Sequence, residues 1–247
     1  MTNHIASFDG LRAMAIIAVV GFHGNWVGFG GGGFGVDLFF VLSGFLITWL
    51  LLKEKQKYGR ISLKEFYFRR VLRIVPAYVL FLLGYYLLVL FVFSDLKPRL
   101  AISTLASATY TTNIAFSWFD LHILQAHTWS LSMEEQFYLL FPALVVWLPQ
   151  SKVIRIIVIL LALAPLWRFT VYLGFEPRNI YRIGYGPDTR YDSILWGCLL
   201  AFVYTNEKLK NKINDAGIKS LLLVGLVGAG ISIATAHENL LFKNTIG

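Results

Sequence analysis

Residues 8–26, FDGLRAMAIIAVVGFHGNW, have the composition of a membrane-spanning helix that retains two ionisable side chains. Arg12 and His23 stand on either side of a run of apolar and small residues. At about 100° and 1.5 Å per residue, this separation puts both side chains on one helix face, about 16 Å apart. An ionisable residue inside a span costs about 2.5–3.5 kcal/mol on insertion scales, so each is a functional candidate. The alternative for His23 is a packing histidine bonded to a neighbouring helix.

The composition indicates a membrane protein. The chain has 247 residues, of which 57% are hydrophobic and 15% charged, whereas soluble domains have about 25% charged residues. The net charge of +8 fits basic cytoplasmic loops better than nucleic-acid binding. A single cysteine, Cys198, excludes an internal disulfide framework and a cysteine-based metal cluster. Because Cys198 lies in an apolar run, we expect it to be a small buried residue.

Several segments are apolar over the length that a crossing needs, about 20 residues. They are 10–29, 34–52, 74–93, 133–149, 153–173, 191–205 and 218–236. A further segment, 100–118, is long enough but rich in Ser, Thr and Asn. The charge of the connecting loops decides whether it crosses.

Segment 53–73 contains eight Lys and Arg residues, so it is predicted to be cytoplasmic, together with the N-terminus. If 100–118 does not cross, the basic segments 150–155 and 206–219 are cytoplasmic as well; if it crosses, both lie outside. We therefore predict an all-α polytopic membrane helix bundle, forming one domain over 1–247, with about seven crossings. Segment 94–130 is predicted to be an outer loop that re-enters the protein.

Basic residues cluster in FYFRRVLRIVP, residues 66–76. Arg70 and Arg73 are spaced i,i+3, and Arg69 and Arg73 i,i+4, so each pair lies on one helix face. Guanidinium groups at this spacing suit a pyrophosphate. The alternative is topogenic charge that also binds anionic lipid.

Polar residues also occur at the start of two other spans. In GVDLFFVLSGFLITW (35–49), Asp37 could cap its helix and Ser43 could serve small-residue packing. In HTWSLSMEEQFYLLFP (127–142), Ser132 and Glu135 match a capping box. That interpretation leaves Glu134 for function, with Tyr138 one turn further along.

The outer end of the sixth span contains TRYDSILWG, residues 189–197. Asp192 and Arg190 could be substrate contacts or an interfacial ion pair. The outer loops are rich in aromatic residues that could stack on sugars or form an interfacial belt, namely Tyr110, Trp118, Phe119, Tyr181 and Tyr185.

Four ordered motifs resemble the bacterial membrane acyltransferase-3 family: SFDGLRAMAIIAVVGFH (7–23), GVDLFFVLSGFLIT (35–48), FYFRRVLRIVPAY (66–78) and TWSLSMEEQFYLLFP (128–142). Its members O-acylate surface polysaccharides, peptidoglycan, nodulation factors and macrolides. The resemblance implies a catalytic His23 paired with Arg12. It also implies an R-x-x-R motif at Arg70 and Arg73 for the acyl-CoA donor, and an S-L-x-x-E motif ending at Glu134. A ten-span fold is implied, so we expect further C-terminal spans.

With the resemblance, the sequence predicts transfer of an acyl group, acetyl in the first instance, from acetyl-CoA or another acyl-CoA to a hydroxyl of a surface carbohydrate or glycolipid. His23 would be the general base, and no metal is expected. The predicted site consists of His23, Arg12 and Glu134 for catalysis, Arg69, Arg70 and Arg73 for the donor, and Asp37, Ser43, Ser130, Tyr138 and Asp192 for substrate. The expected location is the bacterial cytoplasmic membrane, in contact with lipids and without nucleic acid. The alternatives are a proton-coupled transporter or flippase of a lipid-linked sugar, and a nonenzymatic scaffold.

Overall fold

The computed structural model describes residues 6–174 and 178–207. Within these ranges the chain forms α-helices and two short 3-10 turns, with no β-strand, which confirms the all-α fold class. The helices are α1 (Ala6–His23), α2 (Phe34–Tyr58), α3 (Leu63–Phe91), α4 (Lys97–Ala108), α5 (Thr112–Trp118), α6 (Trp129–Trp147), α7 (Gln150–Leu173), α8 (Arg178–Tyr185) and α9 (Pro187–Thr205).

Three of the described helices, α2, α3 and α7, are long and apolar enough to cross a bilayer. Three others, α1, α6 and α9, have 18, 19 and 19 residues. At 1.5 Å per residue their lengths are about 27–29 Å, close to the 30 Å of the hydrocarbon core. The chain is therefore a multi-pass membrane protein. The predicted span 218–236 lies outside the described residues.

Several predicted boundaries differ from the structure. The first helix ends at His23 rather than at residue 29, because Asn25 adopts a left-handed conformation with φ 54° and a glycine-rich turn follows. The span predicted as 34–52 continues to Tyr58 in α2, and the span predicted from residue 74 begins earlier, at Leu63 in α3. Gly59, with φ 70°, ends α2, and the Ser62 side chain caps α3 by accepting the Glu65 N–H at 3.4 Å.

The chain divides into two compact units, residues 1–49 with 193–247, and residues 50–192. In the first unit, glycines let helices touch backbone to backbone. A Cβ atom at Gly44 would overlap the carbonyl oxygen of Ile194, and one at Gly197 would overlap that of Val41. The α2–α9 contact is thus a small-residue crossing, beside which Cys198 is fully buried, as predicted.

In the second unit, the polar segment 100–118 forms two short helices, α4 and α5, instead of one span. Most of their Ser, Thr and Asn side chains are buried, and several bond to one another, to α6 or to the turn that precedes α6. Asn113 and Gln136 exchange amide hydrogen bonds at 3.0 and 2.9 Å, and Thr128 bonds to Thr112 at 3.0 Å. Polar groups at membrane depth need hydrogen-bond partners from the surrounding protein, and this network provides them.

Candidate functional site

A buried ion pair joins α3 to α6 in the second unit. Nη2 of Arg70 lies 3.3 Å from Oε1 of Glu135, and the two side chains are only 16% and 18% exposed. The pair lies about 10 Å along α3 from its first residue. Burying two opposite charges has a desolvation cost that only good geometry and further hydrogen bonds offset. An ion pair retained between apolar helices therefore makes this position a candidate site.

Tyr138 extends this cluster by one helical turn. The guanidinium carbon of Arg70 lies 3.0 Å from the centroid of the Tyr138 ring, a cation–π arrangement. The Tyr138 hydroxyl donates to Oε2 of Glu134 at 3.1 Å. One arginine, two glutamates and one tyrosine therefore form a continuous polar cluster, which we call the α3–α6 charge cluster.

The role of Glu135 differs from the sequence-based interpretation. The capping box is wrong, because α6 already begins at Trp129 with Thr128 as its N-cap. Ser132 lies one turn inside the helix and donates to the Thr128 carbonyl at 3.0 Å. Glu135 is therefore free to bind Arg70. The signal for this was present in the sequence: two adjacent glutamates in an apolar helix need a basic partner, and α3 provides arginines.

The three arginines of α3 have different surroundings. Arg69 is 58% exposed and pairs with Glu54 and Glu65, each at 3.2 Å. Arg73 is exposed. The structure thus brings Arg70, Glu134 and Tyr138 together from the predicted set. Ser130, in the first turn of α6, is half-buried.

Arg12 and His23 lie on α1, in the first unit. Nη1 of Arg12 pairs with Oδ1 of Asp9 at 3.3 Å, one turn back. His23 is the last residue of the helix, is exposed, and contacts the ring of Phe22 edge-on, with centroids 5.4 Å apart. Arg70 and Glu134 belong to the second unit. A single site that combines them with Arg12 and His23 therefore remains a prediction.

Asp37 and Ser43 lie on α2, in the first unit. Asp37, in the first turn of the helix, accepts a hydrogen bond from the Ser193 hydroxyl at 2.7 Å and so joins α2 to α9. Ser43 is half-buried beside Gly44, at the close α2–α9 crossing.

Asp192 pairs with Arg168 of α7. Of the two alternatives, an ion pair is thus observed, but its partner is Arg168 from α7 and not the neighbouring Arg190. Oδ1 of Asp192 is buried without a hydrogen-bond partner among the described residues.

Comparison with known proteins identifies the family. A family model described as an acyltransferase domain matches residues 5–246. The chain is 37% identical over 252 residues to the peptidoglycan O-acetyltransferase OatA of Listeria monocytogenes, covering 93% of this chain and 40% of that protein. It is 35% identical over 246 residues to the O-acetyltransferase OatA of Staphylococcus aureus, with the same coverage.

A putative O-acetyltransferase of Staphylococcus aureus is 36% identical over 223 residues, which are 85% of this chain and 36% of that protein. The chain thus spans about 40% of the length of these two OatA proteins. No solved structure matches it. Since the family model and these relatives cover most of the sequence, the chain belongs to the acyltransferase-3 family of membrane proteins.

Proposed function

We propose that this chain forms the membrane part of an O-acyltransferase, which transfers an acetyl group from a coenzyme A thioester to a hydroxyl of cell-wall carbohydrate. Membership of the acyltransferase family supports the reaction class. The names of the relatives from Listeria and Staphylococcus support acetyl as the group and peptidoglycan as the class of acceptor.

The α3–α6 charge cluster is the observation that carries this proposal. A bundle that only scaffolds partners can pack with apolar side chains, and a buried ion pair is often replaceable by them at no loss of stability. Ionisable groups retained between membrane helices therefore point to binding or proton transfer.

Arg70 retains one hydrogen-bond donor that its protein partners do not use. Its Nε is buried and has no hydrogen-bond partner among the described residues, although two other contacts hold the guanidinium in place. Arg73 is exposed one turn further along α3. A guanidinium with an unused donor suits a phosphate or a thioester carbonyl. Coenzyme A, when bound, supplies the acyl group as an activated thioester, and Arg69, Arg70 and Arg73 are the residues that would hold its phosphates.

His23 is the general base of the proposed reaction. It takes the proton of the acceptor hydroxyl as the ester C–O bond forms, the thioester C–S bond breaks and the thiolate leaves. Arg12, three helical turns away on α1, steers the thioester end of the donor. Glu134 positions the reacting groups through its hydrogen bond with Tyr138.

The orientation follows from the positive-inside rule, with the N-terminus and the α2–α3 turn in the cytoplasm. The membrane is the bacterial cytoplasmic membrane. In this orientation α3 begins on the side where coenzyme A is made, and α1 ends on the side where surface carbohydrate is exposed.

The test uses purified full-length protein in detergent, acetyl-CoA labelled in the acetyl group, and soluble peptidoglycan fragments as acceptor. We expect wild-type protein to transfer label to the carbohydrate. His23→Ala should lower the rate at least 100-fold, because a general base contributes about 10²–10⁴-fold.

His122→Ala is the matched control, since His122 is exposed in the loop after α5, and it should retain the wild-type rate. Transfer at the wild-type rate by His23→Ala would remove the base assignment. A thioester left intact by the wild-type protein would contradict the enzyme proposal and favour the transporter.

A further inference from the structure

Three side chains of the second unit converge on one carboxylate, that of Asp188, outside the charge cluster. Oδ1 of Asp188 accepts the indole N–H of Trp118 at 3.3 Å, and Oδ2 accepts that of Trp167 at 2.9 Å. Arg182 donates to Oδ2 from Nε at 3.0 Å and from Nη2 at 2.7 Å. We call this group the tryptophan clamp.

The carboxylate holds both indoles in fixed positions. Charge-assisted hydrogen bonds are the stronger ones, so each ring is anchored at its N–H edge.

The anchoring leaves the ring surfaces accessible. Trp118 is 48% exposed and Trp167 is 41% exposed, although both N–H groups are bound. The guanidinium carbon of Arg182 lies over both rings, 5.7 Å from each centroid. Other aromatic residues of the same region have packing roles: Tyr181 and Tyr185 both contact Phe116 edge-on.

A cleft of about 460 Å³ adjoins the clamp, within the range of small-ligand sites. It is lined by Leu163, Leu166, Trp167, Thr170, Asp188 and Tyr191. The cleft thus combines an indole and aliphatic surface with two hydroxyls and a carboxylate. A pyranose ring has the matching chemistry, because its faces present C–H groups and its rim presents hydroxyls.

The position of the clamp favours the outer side of the membrane. Trp167 lies about 9 Å from the last residue of α7, and Asp188 is the second residue of α9. The opposite end of α7 carries Lys152 and Arg155, which the positive-inside rule assigns to the cytoplasm.

We infer that the tryptophan clamp and its cleft bind the carbohydrate acceptor, with Trp118 and Trp167 stacking on sugar rings and Asp188 and Arg182 fixing their orientation. This inference rests on the proposed function, whose acceptor it places.

The experiment measures binding of soluble peptidoglycan fragments to full-length protein in detergent by calorimetry, and the KM for the same fragments in acetyl transfer. Trp118→Ala and Trp167→Ala should each weaken binding and raise this KM about tenfold, because each removes one aromatic face that the sugar ring would contact. Trp118→Phe, which retains an aromatic face, should recover most of the loss.

Trp147→Ala is the control. Trp147 is the last residue of α6, is 76% exposed and belongs neither to the clamp nor to the cleft. The variant should bind the fragments as the wild type does. Equal losses in Trp147→Ala and Trp118→Ala would mean that the clamp tryptophans are general interfacial anchors, and would overturn the inference.

Unchanged binding and KM in both clamp variants would also overturn it, while leaving the proposed function intact. A wild-type protein that cleaves labelled acetyl-CoA but binds no fragments would likewise overturn the inference and leave the proposed function intact. A wild-type protein that neither cleaves the thioester nor binds the fragments would instead refute the proposed function itself, and the inference with it.

Discussion

Arg69 and Arg70 are adjacent in the sequence but have opposite environments. Successive residues of a helix point about 100° apart, so Arg69 reaches the exposed Glu65 while Arg70 turns towards α6. The same rotation separates Glu134, bonded to Tyr138, from Glu135, bonded to Arg70. The partner of each charged side chain therefore depends on its position around the helix rather than on the number of charges in the motif.

The Arg70–Glu135 pair allows stability and activity to be separated. Glu135→Ala should lower the free energy of unfolding by about 3 kcal/mol, because it leaves a buried guanidinium without its counter-charge. The double variant Arg70→Met with Glu135→Leu should recover this stability, since apolar pairs replace buried ion pairs well. Acetyl transfer should be lost in the single variant and in the double variant. Thermal unfolding in detergent and the labelled acetyl assay provide the two measurements.

Glu65→Ala is the control for this prediction. It removes a partner of Arg69 in an exposed pair, which should change the stability by less than about 1 kcal/mol. A double variant with wild-type transfer would show that the charge cluster has a structural role only.

At the scale of elements, glycines determine how closely the helices of the first unit approach. Gly32 and Gly35 lie against the α1 carbonyls of Ala18 and Ala15. These two glycines serve a helix contact, whereas Gly28, with φ 85°, is needed for the turn.

Two glycine substitutions test this packing. Gly44→Ala should destabilise the protein by at least about 1 kcal/mol, because the new methyl group would meet backbone that cannot move aside. Gly84→Ala, in α3, has nothing within 4 Å of the added Cβ and should be neutral or stabilising, as alanine favours helix by about 1 kcal/mol. Melting temperatures in detergent give the comparison, and equal values for the two variants would contradict the close-contact model.

At the scale of the whole molecule, the asymmetry of basic residues predicts the orientation in the membrane. Lys57, near the end of α2, and Lys97, at the start of α4, are both exposed. We expect Lys57→Cys to react with an impermeant maleimide only in inside-out membrane vesicles, and Lys97→Cys only in right-side-out vesicles. Wild-type protein serves as the blank, because its single cysteine is fully buried. Labelling of both variants from one side would refute the predicted topology.

The sequence alone determined the membrane class, the all-α fold and the failure of segment 100–118 to form a single span. These follow from hydropathy, helical period and loop charge, which are local properties of the chain. Only the tertiary structure decided that Glu135 binds Arg70, 65 residues away, and that Gly44 contacts the backbone of Ile194. It also decided that Asp188 accepts hydrogen bonds from Trp118, Trp167 and Arg182. The physical reason is that hydrogen bonds and close contacts depend on which faces of distant helices meet, and a local pattern does not contain that information.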